Sequence, residues 1–317
     1  MAIIKKTDPI QVKSLFMMFY GAAGTGKTMF AASAERPIVF DFDDGADRTV
    51  REHDFATFPN FDAMIYDIKN GVFDDYQTIV IDTAAKMYKK MFAQKLQDLN
   101  LWDISAKQPK LRGGWGMIEV LFDELFAAIR STGKDLIVIA HETKTKAKVG
   151  DVDTAAAEMD KRILAVIEKD SHQVGYIYAS GRGQRTIDFS LSNEHFAKDT
   201  AGIGAVPIGN LDPTRGKVVI ELPSLIQKIK ANIEAKANRN VDLHLIELRK
   251  VNAAVTDVKS ANAALKKVLE YKGSAQILTA LKGELNKKAK EIGLVYSTDT
   301  NQFETSKFPA LDVEDPT

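Results

Sequence analysis

Residues 14–28 read SLFMMFYGAAGTGKT, an apolar run that passes directly into a glycine-rich turn. The apolar half has the length and composition of a buried strand. The segment that follows, KTMFAASAE, is typical of a helix, which has to end before Pro37. The sequence therefore predicts a strand, a tight turn and a helix in immediate succession.

The turn also meets the spacing G-x-x-x-x-G-K-[ST], which average composition produces by chance in about one chain in a hundred of this length. Glycine is required where backbone N–H groups wrap closely around a phosphate, and the start of a helix attracts anions. We expect Lys27 to reach the β- and γ-phosphates and the Thr28 hydroxyl to ligate Mg²⁺. The predicted phosphate-binding residues are Gly21, Ala22, Ala23, Gly24, Thr25, Gly26, Lys27 and Thr28.

Three further apolar segments precede polar side chains: residues 37–42 (PIVFDF), 77–82 (QTIVID) and 135–140 (DLIVIA). They alternate with segments of helical periodicity, which predicts a mostly parallel sheet covered on both faces. Residues 173–180 and 184–190 alternate like strands and are separated by a short glycine turn, which indicates an antiparallel extension of the sheet. The predicted fold class is α/β.

Each of these strands ends next to a side chain that suits a phosphate site, because ligands collect at the carboxyl edge of a parallel sheet. Asp82 is the candidate that holds the Mg²⁺ shell, although an acid there also caps helices. Asp43 is the candidate that orients or deprotonates a water, with Asp41 and Asp44 as rivals and simple turn acids as the alternative. His141 is the candidate that hydrogen-bonds the γ-phosphate, against a purely structural histidine.

Composition sets wider limits on the function. The 317 residues contain 43 Lys or Arg and 43 Asp or Glu, so the net charge predicts no partner. Cysteine is absent, which excludes disulfides, thiol nucleophiles and thiolate metal sites. No run approaches the roughly 18 apolar residues of a membrane span, and the amino terminus lacks a signal-peptide pattern. We expect a soluble cytoplasmic protein.

The chain changes character after the sheet segments. Residues 224–292 carry 14 Lys or Arg against 7 Asp or Glu and have a helical pattern with a single Gly-Ser break. The last residues are polar and lack periodicity. We therefore predict a core over residues 1–222, a basic helical domain over 223–293 and a flexible tail over 294–317.

The ordered set GAAGTGKT, IVFDFDDG, TIVIDT, LIVIAHE and FAKDTAGIG resembles the RecA-like P-loop ATPases of bacteriophages, which include single-strand annealing and recombination proteins. The resemblance covers roughly residues 10–222. It implies a RecA-like core, ATP and Mg²⁺ as cofactors, homo-oligomers, and single-stranded DNA as a partner, in the host cytoplasm if the gene is a phage's. Asp43 stands where the family has a glutamate, which puts the hydrolysis rate in doubt.

The resemblance further implies that the polar stretch 143–150 is a DNA-contacting loop, with Lys144, Lys146 and Lys148 as its cations. The family completes its site with a basic residue of the adjacent subunit, for which Lys198 is the candidate and Arg182 and Arg185 are rivals. The leading interpretation is an ATPase acting on single-stranded DNA in annealing or recombination. The alternatives are a slowly hydrolysing loader that acts through a protein partner, such as a single-strand-binding or other replication protein, and, more weakly, a small-molecule kinase.

Overall fold

The computed structural model describes residues 10–45, 53–146, 153–179, 184–209, 221–271 and 275–305. The strands are β1 (Phe16–Gly21), β2 (Pro37–Asp41), β3 (Asp54–Ala56), β4 (Thr78–Asp82), β5 (Trp102–Asp103), β6 (Gln108–Pro109), β7 (Asp135–Lys146), β8 (Asp153–Ala157), β9 (Gln173–Ala179), β10 (Arg185–Asp188), β11 (Lys198–Asp199), β12 (Ala205–Gly209), β13 (Leu294–Ser297) and β14 (Gln302–Thr305).

The α-helices are α1 (Lys27–Ala32), α2 (Phe61–Lys69), α3 (Ala84–Met87), α4 (Ala93–Asp98), α5 (Gly114–Ser131), α6 (Lys161–Asp170), α7 (Leu222–Ala237), α8 (Arg239–Ala253), α9 (Val258–Leu269) and α10 (Ala275–Glu291). A π-helical turn, Tyr88–Phe92, joins α3 to α4. None of the helices in the described ranges has both the length and the apolar character needed to cross a membrane.

The main sheet has the strand order β12-β10-β9-β1-β7-β4-β2-β3. The strands from β9 to β3 in this order are parallel, whereas β10 and β12 extend the sheet antiparallel. Since β1 lies in the middle, the turn that follows it is placed at the centre of the carboxyl edge. The prediction of an α/β core with a mostly parallel sheet and an antiparallel extension is confirmed.

Strand β1 shows why the sheet is buried on both faces. Phe16, Met18 and Tyr20 pack in one apolar cluster with the side chains of α2, α5 and α6. The alternate residues pack in a second cluster with α1 and the first half of α7. Because successive side chains of a strand point to opposite faces, a continuous apolar run fits only a strand covered on both sides.

The chain divides into two compact units, which differ from the predicted domains. One comprises Val12–Ile233, so it includes much of α7 beyond the predicted boundary at 222. The other comprises Met1–Gln11 and Glu234–Thr317. Its helices α8, α9 and α10 enclose two apolar clusters. Residues 294–305, which we expected to be part of a tail, form the hairpin β13–β14, and Phe303 is buried in it.

A second difference concerns the stretch 143–150, which we predicted as a loop. Residues 143–146 continue strand β7 and pair antiparallel with β8, with Lys144 opposite Ala155 and Lys146 opposite Asp153. Alternating threonine and lysine suits a strand with one solvated face, so the same polarity that indicated a loop is compatible with a hairpin. Lys148 lies outside the described residues.

Candidate functional site

The turn after β1 has the backbone that its glycines predict. Gly24 and Gly26 adopt left-handed conformations, with φ of 77° and 85°. At Gly21 a Cβ atom would lie 2.1 Å from the carbonyl oxygen of Ile177, so only glycine fits beside strand β9. Gly26 forms the N-terminal cap of α1, and its carbonyl accepts the Phe30 N–H at 2.9 Å. The result is a compact bend between a buried strand and a helix start.

Lys27 is held inside this bend. Its ammonium donates to the carbonyl oxygens of Gly21 at 2.9 Å and Ala22 at 2.8 Å, and the residue is 5% exposed. Burial lowers the pKa of Lys27, while the negative charges of Asp82 and Glu142 act in the opposite direction. A buried ammonium is costly unless anions surround it, which makes this position suited to a phosphate.

Thr28 and Asp82 meet at the next position of the site. The Thr28 hydroxyl donates to Asp82 Oδ2 at 2.6 Å, which joins the start of α1 to the end of β4. Burial is the main cause that raises the pKa of Asp82, and Asp43 and Asp41 raise it further, whereas the Thr28 hydrogen bond and His141 lower it. A hydroxyl and a carboxylate side by side are suitable oxygen ligands for Mg²⁺.

This pair also fits the way in which Mg²⁺ is usually held, by one or two protein groups together with substrate phosphates. Within the described part of the chain, no group of three or more His, Asp or Glu side chains could hold a metal ion by itself.

The three acids at the end of β2 differ in the groups that they contact. Asp41 Oδ1 accepts the N–H groups of Asp43 at 3.1 Å and Gly45 at 3.0 Å, so this carboxylate shapes the turn. The Asp44 carboxylate forms an ion pair with Lys90 at 2.7 Å. The Asp43 carboxylate lies 3.5 Å from the Lys86 ammonium.

Lys27, Thr28 and Asp82 line one cavity of about 410 Å³ together with Asp41 and Asp43, whereas Asp44 is not part of its lining. Among the residues that the structure describes, the lining consists of Ala23, Gly24, Gly26, Lys27, Thr28, Met29, Asp41, Asp43, Gly45, Phe55, Asp82, His141 and Arg185. His141 pairs with Gly21 across strands β7 and β1, which sets it beside the turn. The structure thus brings together the turn and the acid and histidine candidates that follow three different strands.

A larger cavity, about 660 Å³, lies between residues 262 and 302 in the other unit. Its charged lining residues are Lys266 and Glu270, one of each sign. This cavity lacks the glycine turn and the convergent carboxylates, so size alone does not identify the functional site.

Lys198 occupies a different place from the other candidates. It pairs with Val174 near the start of β9, at the amino edge of the sheet and away from the glycine turn. Its ammonium donates to the carbonyl oxygens of Glu168 at 2.9 Å and Lys169 at 3.3 Å, at the end of helix α6. These contacts give Lys198 a local role as a helix C-terminal cation. Its rival Arg182 lies outside the described residues.

Sequence reasoning missed an aromatic stack beside the β7–β8 hairpin. Tyr176 stacks on Tyr178 at a ring-centroid distance of 5.7 Å and on His195 at 4.9 Å. The Tyr176 hydroxyl donates to Glu142 Oε2 at 3.0 Å, and burial together with this bond raises its pKa to about 12. Tyr178 is 37% exposed. The alternation of tyrosines in QVGYIYAS was the available signal.

The fold and the cavity together define a P-loop nucleotide-binding protein. A model of the family described as an AAA domain matches residues 13–201, more than half of the chain. The protein therefore belongs to the AAA-domain family, whose members are P-loop ATPases. No curated protein matches the sequence.

Among solved structures, a KaiC-like protein of the archaeon Pyrococcus horikoshii OT3 is similar, with 15% identity and a TM-score of 0.38 over 65% of this chain and 94% of that one. The RadB recombinase gives 14% identity and a TM-score of 0.35 over 57% of this chain and 81% of that one. Both TM-scores are below 0.5, so neither likeness supports a statement about the activity of this protein.

Proposed function

We propose that this protein is a Mg²⁺-dependent ATPase that acts on single-stranded DNA in annealing or recombination as a homo-oligomer. The observation that carries the ATPase part is the Thr28–Asp82 hydrogen bond at 2.6 Å, beside a buried Lys27 in one cavity. This arrangement supports the proposal, because a cation, a hydroxyl and a carboxylate are the groups that bind a triphosphate and its metal. ATP is favoured because the sequence contains no N-K-x-D guanine-reading motif.

In this proposal the residues have distinct tasks. Lys27 and the amides of residues 21–28 bind the β- and γ-phosphates. Thr28 and Asp82 hold Mg²⁺, which when bound neutralises charge on the phosphate oxygens. Asp43 orients the attacking water, and His141 hydrogen-bonds the terminal phosphate. Since His141 lies on β7, which continues into the β7–β8 hairpin, loss of that bond would be transmitted along one strand.

The ATPase part is tested with the wild type and Lys27→Ala. With MgATP as the substrate, we expect the rate of phosphate release to be at least about a hundredfold lower in the variant, because no ammonium then balances the charge of the β- and γ-phosphates. Thermal unfolding of both proteins controls for folding. A variant that retains most of the turnover would contradict the proposal.

Support for single-stranded DNA comes from the region of β7–β9. Lys144 is exposed on the hairpin, opposite Ala155, and Ala155 also pairs with His195 of the aromatic stack. Cations that neutralise phosphates and aromatic rings that stack on bases are the two ingredients of sequence-independent single-strand binding. Here they lie on adjacent segments.

The DNA part is tested by titrating labelled oligothymidylate across a salt series. Lys144→Gln is expected to reduce the slope of log affinity against log salt by about 1, because one phosphate contact is lost. Tyr178→Ala is expected to weaken binding about fivefold to tenfold or more at every salt concentration, because a stacked base is lost.

Lys89→Gln and Tyr66→Ala are the matched controls, since both side chains are exposed in the same unit away from the hairpin. Identical behaviour of the test variants and their controls would remove DNA from the proposal. Turnover that rises on adding DNA in the wild type would support it.

The contact of Asp43 with Lys86 favours the second candidate, a slow nucleotide-dependent loader that acts through a protein partner. An aspartate is one methylene shorter than the glutamate of the resembling family, and the Lys86 ammonium at 3.5 Å competes with a water for the Asp43 carboxylate. For a loader we expect very low turnover that DNA leaves unchanged. Asp43→Glu combined with Lys86→Ala would then raise turnover.

A further inference from the structure

Among the described residues of the antiparallel extension, Arg185 is the one whose side chain lines the nucleotide cavity. It opens strand β10 and pairs with Ala179 at the end of β9. Because β10 runs antiparallel to β9, its first residue lies at the carboxyl edge, level with the glycine turn. The sequence suggested Arg185 only as a rival for a residue that reaches into a neighbouring subunit.

We propose that Arg185 binds the phosphate chain of the nucleotide held by its own subunit, on the side of the glycine turn that faces away from the metal. This inference rests on the proposed nucleotide binding and deepens it. It assigns to Arg185 a role in cis, without the need for a second copy of the chain.

The strand order supports the choice of side. Asp82 and Asp41 belong to β4 and β2, which follow β7 on one side of β1. Strands β9 and β10 lie on the other side of β1, so the carboxylates and Arg185 approach the turn from opposite directions. A triphosphate in the turn therefore has a metal-binding flank and an arginine flank.

Charge compensation supports the same assignment. The cavity lining contains the carboxyl groups of Asp41, Asp43 and Asp82, whereas its permanently cationic side chains, among the residues that the structure describes, are Lys27 and Arg185. Mg²⁺ would neutralise charge on the metal flank only, so Arg185 would supply positive charge on the opposite flank of the triphosphate. A guanidinium matches phosphate particularly well because its planar fork donates two parallel hydrogen bonds.

The experiment measures equilibrium binding of ATP and ADP, each with Mg²⁺, to the wild type, Arg185→Ala and Arg185→Lys. We expect Arg185→Ala to weaken both nucleotides about tenfold or more, the value typical of one lost bond to a charged group. Arg185→Lys is expected to be intermediate, because it keeps the charge and loses the fork. Arg249→Ala, in the other unit, removes an exposed arginine and is expected to change neither affinity.

The outcomes separate the two levels of the argument. Failure of the wild type to bind either nucleotide contradicts the proposed function itself. Normal nucleotide binding by a folded Arg185→Ala overturns only the role of Arg185, and a loss confined to ATP overturns a contact with the phosphates that ATP and ADP share. If Arg185→Ala does not fold, Arg185→Lys decides by the same criteria.

Mixing distinguishes cis from trans. Lys27→Ala and Arg185→Ala are combined and assayed for turnover at ATP concentrations below saturation. If Arg185 acts within its own subunit, the mixture is no more active than the sum of its components. Recovered turnover would mean that one subunit supplies its arginine to the intact turn of another, which would overturn the assignment in cis.

Discussion

The two edges of the main sheet both carry buried charged groups, but they use them differently. At the amino edge, Asp135 accepts the Leu15 N–H at 2.7 Å and the Lys230 ammonium at 2.8 Å. Lys134 donates to the Tyr76 carbonyl oxygen at 2.7 Å. At the carboxyl edge, charged groups from four strands and the glycine turn line a common cavity instead.

The difference separates charges that hold the fold from charges that serve a ligand. The amino-edge contacts connect the start of β7 to the segments before β1 and β4 and to helix α7, so the partners satisfy one another within the protein. At the carboxyl edge, burial lowers the pKa of Lys27 and raises the pKa of Asp82, so it favours the uncharged form of both side chains. Those charges cost stability, which is expected where function dictates the side chain. Substitutions at the two edges are therefore expected to have opposite signatures.

The largest effect is expected for Asp82→Asn, which should lower the rate of ATP turnover. Asparagine keeps an acceptor for the Thr28 hydroxyl but loses the charge that a metal requires, so phosphate release in Mg²⁺ is expected to fall about a thousandfold, roughly 4 kcal/mol in the barrier. The free energy of unfolding is not expected to fall, because burial disfavours the ionised form. Phosphate release and urea unfolding are measured together, with exposed Asp75→Asn as the control. Loss of stability in parallel with turnover would place Asp82 with the structural charges.

Asp135→Ala is the reverse case at the amino edge. It leaves the Leu15 N–H and the largely buried Lys230 ammonium without their shared acceptor, which is expected to cost about 3 kcal/mol of unfolding free energy. Turnover per folded molecule is expected to stay within a factor of two. Asp135→Asn keeps an acceptor for Leu15 and should be milder. If Asp135→Ala is as stable as the wild type, or if its turnover is impaired, the proposed difference between the two edges is wrong.

The parts of the fold and the site that depend on residues close together in the sequence could be predicted from it, whereas the parts that depend on tertiary packing could not. The glycine turn, the strands and the acids at their ends are local patterns, and the structure brings Lys27, Asp82, Asp43 and His141 to one cavity. The structure also narrows the choice among the acids after β2, because Asp44 contacts Lys90 outside the cavity lining.

The misses have a common physical cause. The place of Arg185 depends on the register of β10 against β9, which no local pattern specifies. The hairpin β7–β8 could not be predicted because its second strand, Asp-Thr-Ala-Ala-Ala, has a low strand propensity. This strand is stabilised by its pairing with β7. Lys198 was selected by resemblance, while its contacts with the end of α6 depend on tertiary packing.

Two glycines at the carboxyl edge, Gly21 and Gly24, are expected to differ in how much stability is lost when each is replaced by alanine. Gly21→Ala is expected to cost about 2 kcal/mol, because its Cβ would force β1 away from the Ile177 carbonyl of β9. Gly24→Ala has no atom within 4 Å of the new Cβ and meets only the left-handed φ of 77°, which costs about 1 kcal/mol. Urea unfolding of the two variants is the measurement. Equal costs would contradict the close approach of β9 as the reason for glycine at position 21, where φ is not positive.

The smallest expected effect concerns Glu168, whose backbone carbonyl binds Lys198 at the amino edge. Burial raises the pKa of Glu168 to about 7, although Lys198 lowers it in part. The folded chain therefore binds this proton more tightly than the unfolded chain, and the free energy of unfolding should fall as the pH rises from about 4.5 to about 7. Glu168→Gln stays neutral and should lose this dependence.

At pH 8 Glu168→Gln is then expected to exceed the wild type by about 1 kcal/mol or less, since solvent screens a partly exposed group. Urea unfolding at pH 5 and pH 8 checks this, with the exposed Glu119→Gln as the control. The gain should leave turnover unchanged, because Glu168 is not part of the lining of the nucleotide cavity. A change in turnover would connect the amino edge to the site, and the division of roles between the two edges would have to be abandoned.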